Sequence, residues 1–162
     1  MGFPSFMKQH HYAARIEWTG NDGAGTQNYR SYRRDHRISV GEKPAIPASS
    51  DPAFRGDPTR YNPEELLVAS LASCHMLWYL HLCAVNHIVV TAYHDAAEGV
   101  MQESADGAGE FAGVTLRPHV TIASGDPEKA QALHAEAHRF CFIARSVKFP
   151  VAHAPTISLR AP

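Results

Sequence analysis

The chain has 162 residues, of which 44% are hydrophobic and 19% charged, a balance typical of a globular domain with a substantial core. Its formal net charge of −1 argues against a basic surface that would attract nucleic acid or an anionic membrane. We therefore expect one domain spanning residues 1–162, with no nucleic-acid or membrane partner.

The cysteines indicate a reducing compartment. Cys74, Cys83 and Cys141 are too few for the disulfide framework of a small secreted protein. There is no C-x-x-C pair, which excludes a thioredoxin-type motif and a zinc ribbon. Residues 1–10 lack the apolar core of a signal peptide, so we expect a cytoplasmic protein.

The first third of the chain predicts short strands followed by a long loop. Polar and apolar residues alternate over residues 11–18, which is typical of a half-buried strand. Residues 26–32 and 36–40 are predicted to continue an antiparallel meander. Residues 41–60 are rich in proline, serine and aspartate and show no periodicity, so we expect a loop, and loops of this length are often functional.

A long helix is predicted to follow. Asn62 can cap it, Pro63 suits its first turn, and Glu65 completes a capping box. No formally charged residue occurs over residues 66–85, a run long enough to cross a membrane. Because histidines, serines and cysteines interrupt it, and Trp78 and Tyr79 lie inside it, we expect a helix buried by protein on all sides instead.

The remaining elements complete an α+β pattern. Strands are predicted at residues 87–93, 99–102 and 156–160, and residues 111–123 predict a strand pair or one bent strand. Asp126 and Pro127 begin a second helix that ends near Cys141, and residues 142–147 predict a short helical turn. This order predicts an α+β fold with a largely antiparallel sheet packed on the long central helix.

Helix geometry limits what can approach Cys74. Cys83 lies nine residues later, half a revolution away and about 13.5 Å along the axis, too far for a disulfide within one helix. An intramolecular partner would therefore be Cys141. Glu64 lies ten residues earlier, about 15 Å along the axis, so it can meet Cys74 only from another chain, as in a C2 dimer with antiparallel helices.

From these residues alone, two interpretations of Cys74 stay open. It is either an inert buried cysteine or a reactive thiol activated by a nearby cation, for which Arg55 and Arg60 are the candidates. His134 and His138 stand one helical turn apart, but Glu136 does not fit the H-E-x-x-H pattern. We interpret these histidines as structural, with a metal- or small-molecule-binding module as the alternative function.

The run from Asn62 to Leu66, N-P-E-E-L, followed by Ala72-Ser73-Cys74 and later by Cys141, resembles the signature of the OsmC/Ohr family, the osmotically inducible and organic hydroperoxide resistance proteins. The order of elements is similar over nearly the whole chain. Asn21 stands in the early glycine turn where the Ohr branch carries arginine, which favours an OsmC-like branch. Phe142 stands where the family often has proline.

The resemblance implies an intertwined homodimer and a thiol-dependent peroxidase that reduces organic hydroperoxides and, as a further expected substrate, hydrogen peroxide. Cys74 would be the peroxidatic cysteine and Cys141 the resolving cysteine. Glu64 would orient an arginine, with Arg55 as the first match and Arg60 as the second. An external dithiol, of lipoyl type in some members, would reduce the Cys74–Cys141 disulfide, and neither a metal nor another bound cofactor would be needed.

Overall fold

The computed structural model describes residues 8–161, which group into two compact units divided after Glu64. The prediction of a single domain over residues 1–162 stays a prediction. The helices and strands, in chain order, are β1 (Arg15–Trp18), β2 (His36–Ser39), β3 (Ile46–Ala48), α1 (Pro63–Val85), β4 (Val89–Asp95), β5 (Glu98–Glu103), β6 (Gly109–Leu116), β7 (Pro118–Ser124), α2 (Pro127–Phe140), β8 (Val151–His153) and β9 (Thr156–Leu159).

The first unit contains an antiparallel sheet in the order β1-β2-β3. The strand predicted over residues 26–32 is wrong, because this segment forms consecutive turns. Local side-chain bonds account for the difference: the Ser31 hydroxyl donates to the carbonyls of Gly25 and Asn28, and the Asn28 side chain accepts from the Arg30 amide. Such bonds compete with strand pairing for the backbone.

The loop predicted over residues 41–60 is wrong in part. It contains β3 and a short 3-10 turn over Pro52–Phe54. The Asp51 side chain accepts from the Ala53 amide at the start of this turn, and Arg55 ends it in the left-handed conformation with φ of 66°. A three-residue strand is too short to show periodicity, which explains why sequence reading missed it.

The second unit holds two three-stranded sheets, in the orders β4-β7-β9 and β5-β6-β8. The β4–β7 and β5–β6 pairs are antiparallel, whereas β7–β9 and β6–β8 are parallel. Residues 111–123 therefore belong to two strands, separated at Arg117. Strand β8 was not predicted from sequence. The mixed α+β class is as expected, but the strands of residues 8–161 form three sheets instead of the single sheet predicted, and each sheet of the second unit contains one parallel pair.

Helix α1 runs for 23 residues and begins at Pro63, as its start signature predicts. One stripe is buried, formed at every fourth position by Leu71, His75, Tyr79 and Cys83. Leu77 and Val85 are exposed, so this chain does not bury the helix on all sides. Length and composition alone would let α1 cross a membrane, but core helices of soluble proteins share these properties.

Helix α2 packs its apolar stripe into the same core. Its start is as predicted, since the Asp126 side chain caps it by accepting from the Glu128 amide. The core cluster that contains Tyr79 and Cys83 consists of those two residues with Ile88, Val120, Ile122, Ala130, Leu133 and Ala137. The hydroxyl of Tyr79 donates to the Ala130 carbonyl at 3.2 Å, which joins α1 directly to α2.

A histidine pair also joins the two helices. His75 Nε2 and His134 Nδ1 lie 3.0 Å apart, and neither residue is exposed. Burial is the main cause that lowers the pKa of His75 to about 4 and that of His134 to about 3, and neighbouring histidines contribute to both shifts. Both rings are therefore neutral at pH 7, which lets one donate a hydrogen bond to the other.

This pair predicts acid sensitivity. In the unfolded chain each histidine has a pKa near 6.5, so unfolding takes up protons once the pH falls below that value. We expect full stability above about pH 6.5, and a free energy of unfolding that falls towards pH 4 by about 2 kcal/mol per pH unit at the steepest. Urea denaturation at pH 7, 6 and 5 measures this.

The control is the double variant His75→Gln and His134→Asn, in which amides keep the hydrogen bond but do not titrate. It should show a clearly weaker pH dependence over the same interval. Equal slopes for the variant and the wild type would show that other groups cause the acid sensitivity.

Candidate active site

Two of the predicted site residues meet in the second unit. Cys74 lies in the middle of α1 and is half-buried, and Cys141 lies directly after α2 and is buried. Their thiols are in hydrogen-bond contact, and both are free. The structure thus brings together two cysteines that are 67 positions apart in the sequence.

The environment of Cys141 keeps its thiol protonated. The pKa of Cys141 is raised to about 11, mainly by burial and in smaller part by the Cys74 thiol. The Ala144 amide donates to the Cys141 sulfur at 3.4 Å, and this bond acts in the opposite direction, as does one from the Ile143 amide. At neutral pH Cys141 is a protonated thiol held by two backbone donors.

Cys74 opens onto a pocket with an apolar lining. The pocket has a volume of about 310 Å³ and is lined by Ser70, Ser73, Cys74, Leu77, Trp78, Phe142 and Ile143. Ser70, Leu77 and Trp78 lie three or four positions from Cys74, which is the spacing that puts side chains on one helix face, and Ser73 directly precedes it. The pocket-lining residues other than Cys74 were not predicted from the sequence, although the helical spacing could have identified the ones on α1.

Aromatic packing forms one wall of this pocket. The Trp78 ring stacks on Phe140, with ring centroids 5.0 Å apart, and meets Phe142 edge-on at 5.6 Å. Phe142 is 64% exposed and directly follows Cys141. Phe142, which stands where the OsmC/Ohr pattern often has proline, therefore forms part of the pocket wall next to the thiol pair.

The other predicted site residues lie in the first unit. Arg55 ends the 3-10 turn, with its guanidinium 6.0 Å from the centre of the Tyr29 ring. Arg60 is shared between two carboxylates, with Nε 3.5 Å from Asp57 and 3.9 Å from Asp35. Glu64 is the second residue of α1. Roles for Arg55, Arg60 and Glu64 at Cys74 stay predictions.

Cys83 occupies a different environment from the thiol pair. It is buried in the core cluster with Tyr79 and Ile88. Burial raises the pKa of its thiol, while a hydrogen bond with Tyr79 acts in the opposite direction. An apolar setting of this kind makes a cysteine inert.

Among residues 8–161, no group of three or more histidine, cysteine, aspartate or glutamate side chains is placed to hold a metal ion. His134 and His138, which sequence reading treats as structural, take different positions. His134 is buried against His75 and Tyr79, whereas His138 is half-buried and lies 5.6 Å from His153 between ring centroids.

The fold is shared with solved structures. An OsmC-like protein of unknown function from Vibrio cholerae is 29% identical, with a TM-score of 0.82 over 91% of this chain and 100% of that one. An organic hydroperoxide resistance protein from Legionella pneumophila is 18% identical, with a TM-score of 0.68 over 94% of this chain and 99% of the other. The organic hydroperoxide resistance protein OhrB of Bacillus subtilis is 23% identical, with a TM-score of 0.59 over 91% and 98%.

No curated protein matches the chain. The family model described as OsmC-like protein matches residues 56–155, which is more than half of the chain and includes α1, both cysteines of the pair and the pocket. This match agrees with the resemblance seen in the N-P-E-E-L run and the two cysteines. The chain belongs to the OsmC-like protein family.

Proposed function

We propose that this protein is a thiol-dependent peroxidase that reduces organic hydroperoxides in a reducing cytoplasm. The observation that carries the proposal is the contact between the Cys74 and Cys141 thiols at the edge of an apolar pocket. A half-exposed cysteine beside a buried, protonated one is the arrangement that a peroxidatic and a resolving cysteine require.

The proposed reaction has two steps. The Cys74 thiolate attacks one oxygen of the hydroperoxide, the O–O bond breaks, and the leaving alkoxide takes a proton and departs as an alcohol. Cys74 is then a sulfenic acid. The Cys141 thiol attacks that sulfur, a disulfide forms, and the hydroxyl group departs as water with the Cys141 proton. An external dithiol restores both thiols by exchange and is itself oxidised to a disulfide.

The lining of the pocket supports an organic substrate. Leu77, Trp78, Phe142 and Ile143 offer apolar contacts to a carbon chain or ring, while the serines offer hydroxyls close to the sulfur. Hydrogen peroxide could react at the same thiol but would gain nothing from the apolar wall. Two solved structures of the same fold are named organic hydroperoxide resistance proteins, in agreement with this substrate class.

A homodimer is part of the proposal. The exposed side of α1, where Leu77 is 61% and Val85 58% exposed, is an apolar surface that a second copy would cover. Glu64 is too far along α1 to reach Cys74 of its own helix, as its ten-residue spacing dictates. We propose that Glu64 orients Arg55 at the Cys74 of the other copy, where the guanidinium would favour the thiolate.

The same pocket favours a second candidate function. A small apolar ligand could bind beside Cys74 without any chemical turnover. The two candidates differ in whether Cys74 is consumed and regenerated, so substitution of this one sulfur separates them.

The first prediction concerns Cys74. With cumene hydroperoxide as oxidant and dihydrolipoamide as dithiol, the wild type should consume peroxide, and Cys74→Ser should lower the rate to background because a serine hydroxyl cannot be oxidised to a sulfenic acid. Cys83→Ser is the matched control on the same helix and should retain most of the activity. Wild-type turnover by Cys74→Ser would refute the peroxidase proposal.

The second prediction concerns the product of a single turnover. One equivalent of hydroperoxide should convert the reduced protein into a form with a Cys74–Cys141 disulfide, detected by non-reducing peptide mapping. In Cys141→Ser, the Cys74 sulfenic acid should persist and react with dimedone, because the resolving thiol is absent. A disulfide that involves Cys83 instead would contradict the assignment.

The third prediction tests the shared site. Homodimers of Glu64→Ala and of Cys74→Ser should both have low activity. Mixed dimers should regain activity, because one of their two sites would combine an intact Glu64 with an intact Cys74. Native mass spectrometry confirms that chains have exchanged. If the subunits exchange but peroxidase activity does not recover, the proposal that one chain supplies Glu64 and the other supplies Cys74 to each active site is wrong.

A further inference from the structure

The His75–His134 pair stands between the two segments that carry the reactive thiols. His75 directly follows Cys74 on α1, and His134 lies about two turns before Cys141 on α2. The pair therefore joins α1 to α2 close to both sulfurs. Its place in the chain suggests a role beyond filling the core.

The two rings share one hydrogen along a nearly straight line. Their planes differ by 8°, and their centroids are 5.3 Å apart although the bonded nitrogens are 3.0 Å apart. The rings thus lie end to end in a common direction, and not face to face. One nitrogen must donate and the other accept, which requires the accepting imidazole to be neutral.

The surroundings provide no compensation for a positive charge on this pair. His153 on β8 lies 5.7 Å from His75 and 6.4 Å from His134 between centroids, and the half-buried His138 lies beyond it on α2. Tyr79 of α1 stacks on His134 at 3.8 Å and touches Tyr93 of β4. Within residues 8–161, His75 Nδ1 and His134 Nε2 have no hydrogen-bond partner.

In the part of the chain that the structure describes, the titratable groups that face the pair are histidines and tyrosines. Burial raises the pKa of Tyr79 and of Tyr93 well above the ordinary value, so neither phenol supplies a negative charge. A proton added to the free nitrogen of the donor ring would leave the shared bond in place but create a buried, uncompensated cation. A proton on the accepting nitrogen would break the bond as well. The helices would then separate locally or the protein would resist protonation.

We propose that the His75–His134 hydrogen bond is a positioning device that holds Cys74 and Cys141 in contact and thereby makes formation of their disulfide depend on this bond. This inference rests on the Cys74–Cys141 pairing of the proposed function. Neither histidine is a catalytic residue, since the structure shows no contact between these rings and the two sulfurs among the described residues. They act through the placement of α1 against α2.

Thermodynamic linkage adds a second consequence, a difference between the reduced and the oxidised protein. If the histidine bond favours the thiol contact, the disulfide must favour the histidine bond by the same factor. The oxidised protein should therefore keep the accepting imidazole unprotonated to a lower pH than the reduced protein does. A histidine pair that only fills the core would titrate identically in the two redox forms.

The first experiment needs no peroxide. Reduced protein is equilibrated at pH 7 with known ratios of reduced and oxidised glutathione, quenched, and mapped for the Cys74–Cys141 disulfide. In this exchange the two cysteines become a disulfide, and one glutathione disulfide becomes two glutathione thiols that take up the two protons. The equilibrium constant measures how well the protein holds its thiols together.

Three variants separate positioning from packing. His134→Phe leaves His75 Nε2 without its partner in both redox forms and should lower the constant about fivefold, which corresponds to the loss of a bond of about 1 kcal/mol that favours the paired thiols. The pair His75→Gln and His134→Asn, whose amides reproduce the bonded nitrogens, should restore most of it. His119→Asn, at an exposed site on β7, should leave it unchanged.

The proposal is wrong if folded His134→Phe keeps the wild-type constant, or if the wild type forms no Cys74–Cys141 disulfide with oxidised glutathione. Neither result depends on peroxide consumption, so the peroxidase proposal can fail or succeed separately. If His134→Phe does not fold, the double variant His75→Gln and His134→Asn provides the test. A fivefold or larger fall of its equilibrium constant for disulfide formation would also overturn the proposal.

The second experiment uses the wild type alone. Nitrogen-15 resonances of the histidine rings are followed from pH 7.5 to pH 4 in the reduced form and in the disulfide form. We expect the resonances of His75 and His134 to change at lower pH in the disulfide form than in the reduced form. Equal midpoints for the buried pair in the two forms would overturn the proposed coupling.

Discussion

The four-residue spacing of Leu71, His75, Tyr79 and Cys83 is the constraint on which the second unit depends. Because residues four apart share a helix face, these side chains form the stripe that α1 buries. Cys74 precedes His75 and is turned by about 100° from it. Its sulfur therefore lies at the border of the core, close enough to reach Cys141 and open enough to meet a substrate.

That border position creates two unlike cysteines. Cys141 is enclosed after the last turn of α2 and has a raised pKa, whereas Cys74 is half-buried and lines a pocket. A thiol that stays protonated until its partner is oxidised cannot compete for the peroxide. The difference in burial would thus assign the order of the two chemical steps without any cofactor.

One side of α1 is apolar and exposed, and the proposed site is only partly supplied by a single chain. The chain buries one stripe of this helix and leaves Leu77 and Val85 exposed, and exposed apolar surface on a helix of this length normally has a partner. The thiol pair and its pocket are complete within the second unit. The proposed arginine and glutamate contribution, by contrast, calls for a second copy.

Sequence alone was sufficient for features that depend on neighbouring residues. The start of α1 at Pro63, the cap of α2 at Asp126, the α+β order and the exclusion of Cys83 as partner of Cys74 follow from capping chemistry and helix geometry. The family resemblance also rested on a local run, N-P-E-E-L, with two cysteines. Where local hydrogen bonds compete with strand pairing, as at Asn28 and Ser31, the strand predicted from sequence was wrong.

Tertiary structure decided everything that depends on residues far apart in the chain. The parallel pairing of β8 with β6 and of β9 with β7, the Trp78–Phe142 wall and the His75–His134 bond all join segments whose separation carries no periodic signal. From the sequence, His75 is a polar interruption of an apolar helix and His134 flanks the apolar stripe of another helix. In the structure they form one buried pair. Burial and hydrogen-bond partners are properties of the packed chain, so only the packing could reveal them.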